Sequence, residues 1–164
     1  MHSPNYVEHK NTAKNFPLAD FADILNIASK KKIRITFKAE GASMSPFVKT
    51  GDILTINLND FNPSIGTVVA HIDSKKKVLI HRIIARQGDR YILKGDNCKF
   101  IDGIMSKDSF AGYVESVQRR GKFVLFGLGK EKIFIVLLSR SGLLFPILLF
   151  LRGFKKYIRE LVNG

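Results

Sequence analysis

Short apolar or alternating segments, separated by turn-forming residues, occupy the chain from residue 33 to residue 126. In "IRITFK", Ile33, Ile35 and Phe37 alternate with polar residues, which is the period of a strand with one buried face. No long helical pattern separates these segments, so they predict a mainly β fold, a compact and mostly antiparallel sheet or barrel. The predicted strands are residues 33–38, 52–57, 67–72, 78–85, 90–94, 110–117 and 122–126.

The segments on either side of this region have a different character. Residues 1–17 are polar and predict a flexible tail without a signal sequence, and "PLADFADILNIASKKK" has the apolar spacing of a short amphipathic helix. Residues 133–151, "IFIVLLSRSGLLFPILLFL", are almost wholly apolar and precede "RGFKKYIREL". The predicted organisation is a tail (1–17), a β domain (18–126) and an apolar, basic helical segment (127–164).

The apolar C-terminal segment is compatible with three arrangements. As one helix rising ~1.5 Å per residue, it would span most of a hydrocarbon core of ~30 Å. Arg140 inside such a span would cost at least ~2.5 kcal/mol, and Pro146 would kink or break the helix, so two helices lying in the membrane interface are the second arrangement. A buried helix pair is the third. We expect membrane association, because these apolar residues are too dense for so small a β domain to cover.

The net charge of +13 indicates an anionic partner, either a membrane surface or nucleic acid. Seven Lys and Arg residues lie in the last 35 residues, beside the most apolar stretch, which favours the membrane over nucleic acid. Cys98 is the only cysteine, so an intrachain disulfide and a Cys-rich metal site are excluded. We expect no cofactor and no metal, and the sequence carries no sign of the oligomeric state.

Polar residues in the β region supply the parts of a hydrolytic site. Ser43 follows Gly41 in the loop "EGASMSPFVKTGD", where glycine permits a tight turn. His81 interrupts the apolar strand "VLIHRIIA", and Asp96 and Asp102 follow the next strand. A serine, a histidine and an aspartate are the nucleophile, the base and the orienting carboxylate of several unrelated hydrolases.

Each of these residues also has an ordinary structural explanation, and residue types alone do not decide between the two. A histidine within a strand is commonly half-buried, and aspartates commonly cap turns. His71, in "TVVAHI", competes with His81 for the role of base, whereas His2 and His9 lie in the predicted tail.

Five sequence blocks resemble, in order and spacing, those of the type I signal peptidase family, which belongs with the LexA-like proteases to one structural superfamily. The blocks are "GASMSPFVKTGDILTIN", "GTVVAH", "LIHRIIA", "YILKGDN" and "DSFAGYVESV", and the resemblance covers about residues 33–118. It implies a LexA/signal-peptidase-like antiparallel β fold. It also implies a serine endopeptidase that cleaves signal or leader peptides after small residues.

The resemblance implies a role for three residues. The family's nucleophile is the serine of the first block, which corresponds to Ser43. Many bacterial members carry a lysine base where this chain has His81, so the chain is similar to the endoplasmic-reticulum and archaeal type, in which histidine replaces lysine. In that type an aspartate follows the Gly-Asp-Asn block, which corresponds to Asp102, and Asp96 is the second choice.

The resemblance also bears on the oxyanion and on the substrate. Gly41 stands where some bacterial relatives carry a serine that helps to bind the oxyanion. Backbone N–H groups, that of Ser43 first, must therefore replace the missing hydroxyl. The implied substrate is an extended peptide or preprotein segment that pairs with a strand edge near residues 37–43.

The neighbours of Ser43 are expected to have other roles. We expect Ser45 to be structural, and Met44 and Phe47 to make apolar contacts with the substrate or the membrane. The chain departs from the family pattern in several ways. We expect no membrane anchor before Ser43, the apolar segment lies at the C-terminus instead, the region between the strands is too short for a second large domain, and Cys98 stands where a second asparagine is often found.

Two other functions stay open. A LexA-like regulator that cleaves itself calls for a lysine base and an N-terminal DNA-binding helix-turn-helix, whereas residues 1–32 supply one convincing helix and the strand carries His81. A non-catalytic basic protein that binds an anionic membrane or nucleic acid is the third hypothesis. It predicts salt-sensitive nucleic-acid affinity without proteolysis.

Overall fold

The computed structural model describes residues 33–59, 62–73 and 77–163, together with Ile27. Within these residues, eight strands are followed by two α-helices. The elements are β1 (Arg34–Lys38), β2 (Ile53–Asn57), β3 (Val68–Ile72), β4 (Val78–Gln87), β5 (Arg90–Lys94), β6 (Gly103–Ser106), β7 (Phe110–Arg119), β8 (Lys122–Phe123), α1 (Lys132–Arg140) and α2 (Leu144–Asn163). The prediction of a mainly β fold with a C-terminal helical segment is confirmed. The predicted tail and, apart from Ile27, the predicted N-terminal helix lie outside the described residues.

The described strands form one antiparallel sheet in the order β1-β2-β7-β3-β4-β5-β6, with β8 paired to the end of β7. Strand β7 joins the β1–β2 pair to the β3–β6 meander. Bulges interrupt the pairing at Thr55/Ile56, Ala70/His71 and Ile83/Ala85. A bulge bends its strand and increases the local twist, so the sheet curves rather than lying flat.

The sheet buries apolar side chains on both of its faces. Val68 and Ala70 of β3 belong to one core cluster with Leu54, whereas Val69, between them, belongs to a second cluster with Leu93. Because side chains alternate along a strand, this division places β3 between the two clusters. The neighbouring strand β4, which carries His81, therefore lies in the buried middle of the sheet.

Strands β1, β2 and β3 each begin one residue later than predicted, and the larger differences from the prediction lie further along the chain. Strands β4 and β7 each extend two residues further than predicted, to Gln87 and Arg119. Strand β8 ends at Phe123 rather than at residue 126, although the Val124 N–H still donates to Val117 O at 2.8 Å. Strand β6 was not predicted, because its four residues include only two large apolar side chains and no alternating pattern.

The apolar C-terminal segment folds as two helices that meet at 103°. The chain turns at Gly142, whose φ of +76° suits glycine and ends α1. Pro146, which was expected to break the helix, instead lies in the first turn of α2, where no N–H is needed. Ile135 of α1 and Leu144 and Leu148 of α2 pack with Phe47 in a third cluster, which attaches the segment to the β domain.

The remainder of α2 projects from this cluster. The side chains of residues 149–162 are all exposed. Among the described helices, none is by itself long and apolar enough to cross a membrane, and α1 and α2 meet that standard of length and composition only as a bent pair.

Candidate active site

Ser43, His81 and Asp102 are far apart in the sequence and adjacent in the structure. His81 Nε2 lies 3.0 Å from Ser43 Oγ, and His81 Nδ1 lies 2.8 Å from Asp102 Oδ2. The second contact is close, but its angle at Nδ1 is outside the range of a standard hydrogen bond. The juxtaposition expected from the sequence is confirmed, and the catalytic roles of the three side chains stay a prediction.

His81 is held by its position in the sheet. It lies on β4, opposite Val69 of β3, and β5 pairs along the other edge of the same strand. The side chain is buried, so the ring cannot turn freely toward solvent. A backbone held on both sides and a buried ring together keep Nε2 directed at Ser43.

Asp102 is placed by the strand that the sequence did not predict. Its N–H donates to Leu93 O at 2.9 Å, and the next residue, Gly103, pairs with Leu93 as the first residue of β6. The pairing of β6 with β5 thus holds the backbone of Asp102 next to the imidazole ring of His81. Without β6 the carboxylate would lie on an unanchored loop.

The loop that carries Ser43 is tied to the turn after β5. The Asn97 N–H donates to Ser43 O at 2.7 Å, and Asn97 Nδ2 donates to Ala42 O at 3.0 Å. On the other side of the loop, Thr50 Oγ1 donates to Gly41 O at 2.7 Å. These bonds fix the backbone on both sides of the nucleophile, and no local sequence pattern marks Asn97 or Thr50 for this role.

Gly95 allows the loop and the histidine to approach each other. A Cβ at this position would lie 2.7 Å from Cys98 Sγ, 2.8 Å from Ser43 O and 3.2 Å from His81 Nε2. These distances are shorter than ordinary van der Waals contacts, so only glycine fits without a shift of the neighbours. The signal for this role in the sequence is a glycine directly after a strand, in "YILKGDN".

A bidentate ion pair braces the far end of the Ser43 loop. Arg119 Nε and Nη2 donate to the two Asp52 oxygens at 2.8 and 2.7 Å, and Nη2 also donates to Phe47 O at 3.2 Å. The Lys49 N–H donates to Asp52 Oδ2 at 2.8 Å. Burial opposes ionisation of the Asp52 carboxyl, but the bonds from Arg119 and Lys49 outweigh it and hold the pKa of Asp52 below its ordinary value.

Asp96, the second choice for the orienting carboxylate, has a different partner. Its two oxygens accept hydrogen bonds from Arg82 Nε and Nη2 at 2.8 and 2.7 Å, and both side chains are fully buried. Arg82 Nη1 also donates to Gly66 O and Gly127 O at 2.9 and 2.8 Å. The carboxylate of Asp96 is therefore engaged in the core, and Asp102 alone of the two contacts the imidazole.

Met44 and Phe47 make the apolar contacts expected of them, but they make these contacts inside the core and not at the surface. Met44 is 3% exposed and packs in the main core cluster. Phe47 is 7% exposed, packs against both C-terminal helices and lies 5.5 Å from the ring of Phe126. Their apolar character serves to seat the Ser43 loop on the sheet.

Gly41 has a conformational role. Its φ of +91° lies in the region that favours glycine, and a serine there would be strained even though there is space for a Cβ. The Ser43 N–H donates to no acceptor in the described part of the chain, so it is available to bind an oxyanion. The Ser45 N–H donates to Ala42 O at 3.1 Å, which fits the structural role expected for that residue.

His71 lies behind the site rather than in it. Its ring centroid is 5.7 Å from that of His81, and neither of its ring nitrogens makes a hydrogen bond within the described residues. Burial, together with the nearby His81, lowers the pKa of His71 to about 4, so the ring is neutral at neutral pH. Of the two histidines that competed for the role of base, His81 is the one beside the serine hydroxyl.

The described residues contain no group of three or more His, Cys, Asp or Glu side chains that is arranged to hold a metal ion. A serine hydroxyl, an imidazole and a carboxylate in series can carry out nucleophilic attack with proton transfer.

Comparison with known proteins yields no match to the chain among family models, curated proteins or solved structures. No relative therefore supplies a function. The resemblance in the five sequence blocks stays a prediction.

Proposed function

We propose that the chain is a serine endopeptidase that cleaves signal or leader peptides after small residues. The observation that carries this proposal is the continuous series of contacts from Ser43 Oγ through His81 to Asp102. Such a series is what a serine hydroxyl needs in order to become a nucleophile at neutral pH. The preference for small residues before the cut rests on the resemblance in the five sequence blocks.

The proposed mechanism is acyl transfer. As Ser43 Oγ attacks the scissile carbonyl carbon, His81 Nε2 takes the hydroxyl proton, and Asp102 stabilises the imidazolium that forms. The Ser43 N–H donates to the developing oxyanion. His81 then gives its proton to the leaving amine, which departs and leaves an ester on Ser43. A water molecule attacks that ester while His81 takes its proton, and His81 then gives the proton to Ser43 Oγ as the ester bond breaks, so the carboxyl product leaves and the hydroxyl of Ser43 is restored.

The proposed substrate lies extended beside the edge of the sheet. Strand β1 is at one end of the strand order, and the chain runs from it through Ala39 and Glu40 into the loop that carries Ser43. A peptide that adds along such an edge is held by backbone hydrogen bonds, while its side chains enter pockets on alternate sides. This mode of binding delivers a carbonyl group to the nucleophile at the end of the strand.

We also propose that α2 holds the site at an anionic membrane surface rather than on nucleic acid. Its projecting part combines large exposed apolar residues with basic ones, as interfacial helices do. The exposed apolar residues are Leu149, Phe150, Leu151, Phe154, Tyr157, Ile158, Leu161 and Val162, and the basic ones are Arg152, Lys155, Lys156 and Arg159. Arg152 Nη2 donates to Asn97 Oδ1 at 2.7 Å, so this helix lies beside the turn that holds the Ser43 loop.

The test of the proposed activity is cleavage of a peptide with alanine before the cut. Ser43→Ala and His81→Ala are each expected to lower kcat/KM by about 10⁴-fold or more, with the Tm close to that of the wild type. Ser45→Ala is the matched control, because it removes a nearby hydroxyl that does not contact His81, and it is expected to cleave normally. Wild-type turnover by either of the first two variants would remove that residue from the mechanism.

A further inference from the structure

Three large apolar side chains are exposed at the end of β8 and in the turn that follows it. Phe123, Leu125 and Phe126, here called the apolar turn, are 60, 81 and 63% exposed. Val124 and Leu128 from the same segment pack against the main core cluster, so the chain is attached to the sheet there. Single exposed apolar residues are normal on a protein surface, whereas a group of them indicates a binding surface.

The backbone of this segment is held in place, so its apolar side chains stay at the surface. The Val124 N–H donates to the backbone of β7 at 2.8 Å. Gly127 O accepts a hydrogen bond of 2.8 Å from the buried guanidinium of Arg82, and the Gly127 N–H donates to Glu131 Oε1 at 2.5 Å. A segment fixed at both ends presents the apolar turn to a partner without a further cost of ordering.

Helix α1 has an exposed apolar face of its own. Its residues are Ile133, Phe134 and Leu137, here called the α1 face. They are one, three and four positions apart, a spacing that places them on one side of a helix, whereas the adjacent Ile135 and Val136 are buried.

The apolar turn and the α1 face adjoin the cluster that supports α2. The ring of Phe126 lies 5.5 Å from that of Phe47, and Phe47 packs with Ile135 of α1 and with Leu144 and Leu148 of α2. The two exposed groups therefore border the base of the helix for which membrane binding is proposed.

The charge around these residues favours an anionic surface as the partner. Residues 119–140 include six basic residues and one acidic residue, Glu131, whose carboxylate accepts hydrogen bonds from N–H groups of its own turn. Arg120, Lys122 and Lys130 form no ion pair within the part of the chain that the structure describes. In a symmetric pair of chains these basic groups would face each other and repel, whereas anionic lipid headgroups would neutralise them.

We propose that the apolar turn and the α1 face form a second membrane contact, in which the apolar side chains enter the boundary between headgroups and acyl chains. This inference rests on the proposed membrane binding of the chain, and it does not require the chain to be a protease. Bound through α2 alone, the molecule could still turn about the axis of that helix. Because α1 and α2 meet at 103°, a contact along α1 removes this freedom and holds the proposed catalytic site in one orientation to the bilayer.

The test uses a fluorescent probe at one position of the apolar turn. The chain contains no tryptophan, so Leu125→Trp introduces a single indole. It is made on the Ser43→Ala variant, so that peptide cleavage has no part in the result. With vesicles of phosphatidylcholine and phosphatidylserine, its emission is expected to move to shorter wavelength and to be quenched by lipids brominated on their acyl chains. Ile104→Trp, at an exposed position on β6, is the control and should show neither change.

Two double variants measure the apolar and the charged contributions by vesicle sedimentation. Phe123→Ser with Leu125→Ser should weaken binding to anionic vesicles about tenfold or more, with an unchanged Tm because both side chains are exposed. Lys122→Gln with Lys130→Gln should also weaken it about tenfold or more, and should leave binding to pure phosphatidylcholine vesicles unchanged.

The outcomes separate this contact from that of α2. If vesicles sediment the protein but Leu125→Trp is quenched no more than Ile104→Trp, the second contact is overturned and binding through α2 stands. If quenching persists at high lipid concentration in the variant with serine at positions 150, 154 and 161, the second contact is supported independently of α2. Emission of Leu125→Trp at short wavelength before vesicles are added would mean that the chain itself or a second copy covers the turn, and would overturn the proposal.

Discussion

Gly95 occupies the point at which the backbone of the Ser43 loop and the ring of His81 come closest. We expect Gly95→Ala to lower kcat/KM by about 10- to 100-fold, because the added Cβ must push Ser43 or His81 out of line. The free energy of unfolding should fall by about 1–3 kcal/mol, as for other overpacked positions. Peptide cleavage and denaturant unfolding of the same preparation measure both effects.

Gly153→Ala is the matched control for this variant. Gly153 lies in the exposed part of α2, and a Cβ there would meet nothing within 4 Å. Alanine is favoured over glycine in a helix by about 0.5–1 kcal/mol, so stability should hold or rise while cleavage is unchanged. Equal loss of activity in the two variants would mean that the crowding at Gly95 is not the cause.

The two aspartates that the sequence left as alternatives should respond in opposite ways. Asp102→Asn is expected to lower kcat by about 10³–10⁴-fold with little change in Tm, because the imidazolium loses its charged partner. Asp96→Asn is expected to cost about 3–5 kcal/mol of folding free energy, because it leaves the buried guanidinium of Arg82 without an opposite charge. Cleavage rates and denaturant midpoints of both variants test the assignment, and the reverse ranking would exchange the roles.

At the level of single residues, the sequence identified the groups that meet but not those that hold them. Ser43, His81 and Asp102 were found through residue type, order and resemblance. Asn97 was missed because its hydrogen bond joins it to Ala42, a residue 55 positions away. Arg119 was missed for the same reason, since Asp52 lies 67 positions away. No local pattern records contacts of this length.

At the level of elements, the strands with β-branched residues were predicted within two residues, and the exceptions have local causes. Strand β6 forms because β5 offers it an edge, and a four-residue segment carries too little pattern of its own. The helix break was expected at Pro146 and occurs at Gly142. A proline in the first turn of a helix is compatible with it, whereas a glycine with positive φ ends the helix before it.

The ion pair that braces the Ser43 loop should make the stability of that element depend on pH. The pKa of Asp52 in the folded chain lies below its ordinary value of 3.8, so the pair contributes fully above that value. The contribution is lost as the pH falls through the lower, folded pKa. At neutral pH, Asp52→Asn is expected to lower the free energy of unfolding by about 1–3 kcal/mol. Denaturant unfolding should show that the difference in the free energy of unfolding between wild type and variant is smaller at pH 3 than at pH 7.

A second ion pair on the same sheet serves as the control. Arg34 and Glu115 are joined by hydrogen bonds of 2.6 and 3.0 Å, but the side chain of Arg34 is largely exposed. Solvent and salt screen an exposed pair, so Glu115→Gln should have a smaller effect on unfolding than Asp52→Asn. If Glu115→Gln costs as much as Asp52→Asn, burial of Asp52 does not explain its contribution.

For the whole molecule, the proposed membrane contact can be tested without unfolding the protein. Replacing Phe150, Phe154 and Leu161 with serine should weaken binding to anionic vesicles at least about 100-fold, because each large apolar side chain gains about 1.5–3 kcal/mol on burial. These side chains are exposed, so the Tm should not fall. Vesicle sedimentation measures binding. Ile104→Ser, at an exposed position on β6, is the control and should sediment like the wild type.

Deleting all residues after 126 would not test membrane binding alone, because the deletion would also remove contacts that stabilise the fold. The deletion would remove Ile135 and Leu148 from the cluster around Phe47. It would also remove Ser139 O, which accepts a hydrogen bond of 3.1 Å from the buried ammonium of Lys94. The boundary predicted at 126/127 follows a change in composition. These contacts join residues on its two sides, so the change in composition does not mark the end of a separately folding unit.

Helix α2 is continuous, but only its first part packs in an apolar cluster. Leu144 and Leu148 are fixed in the cluster around Phe47, and beyond them every described side chain to residue 162 is exposed. The N–H of Ile147, which donates to Leu143 O at 3.1 Å next to the buried Leu148, should therefore exchange with deuterium more slowly than the amide hydrogens after residue 149. Within this helix, added anionic vesicles should slow exchange only after residue 149. Exchange along this one helix would then measure both the stability of the fold and binding to the membrane.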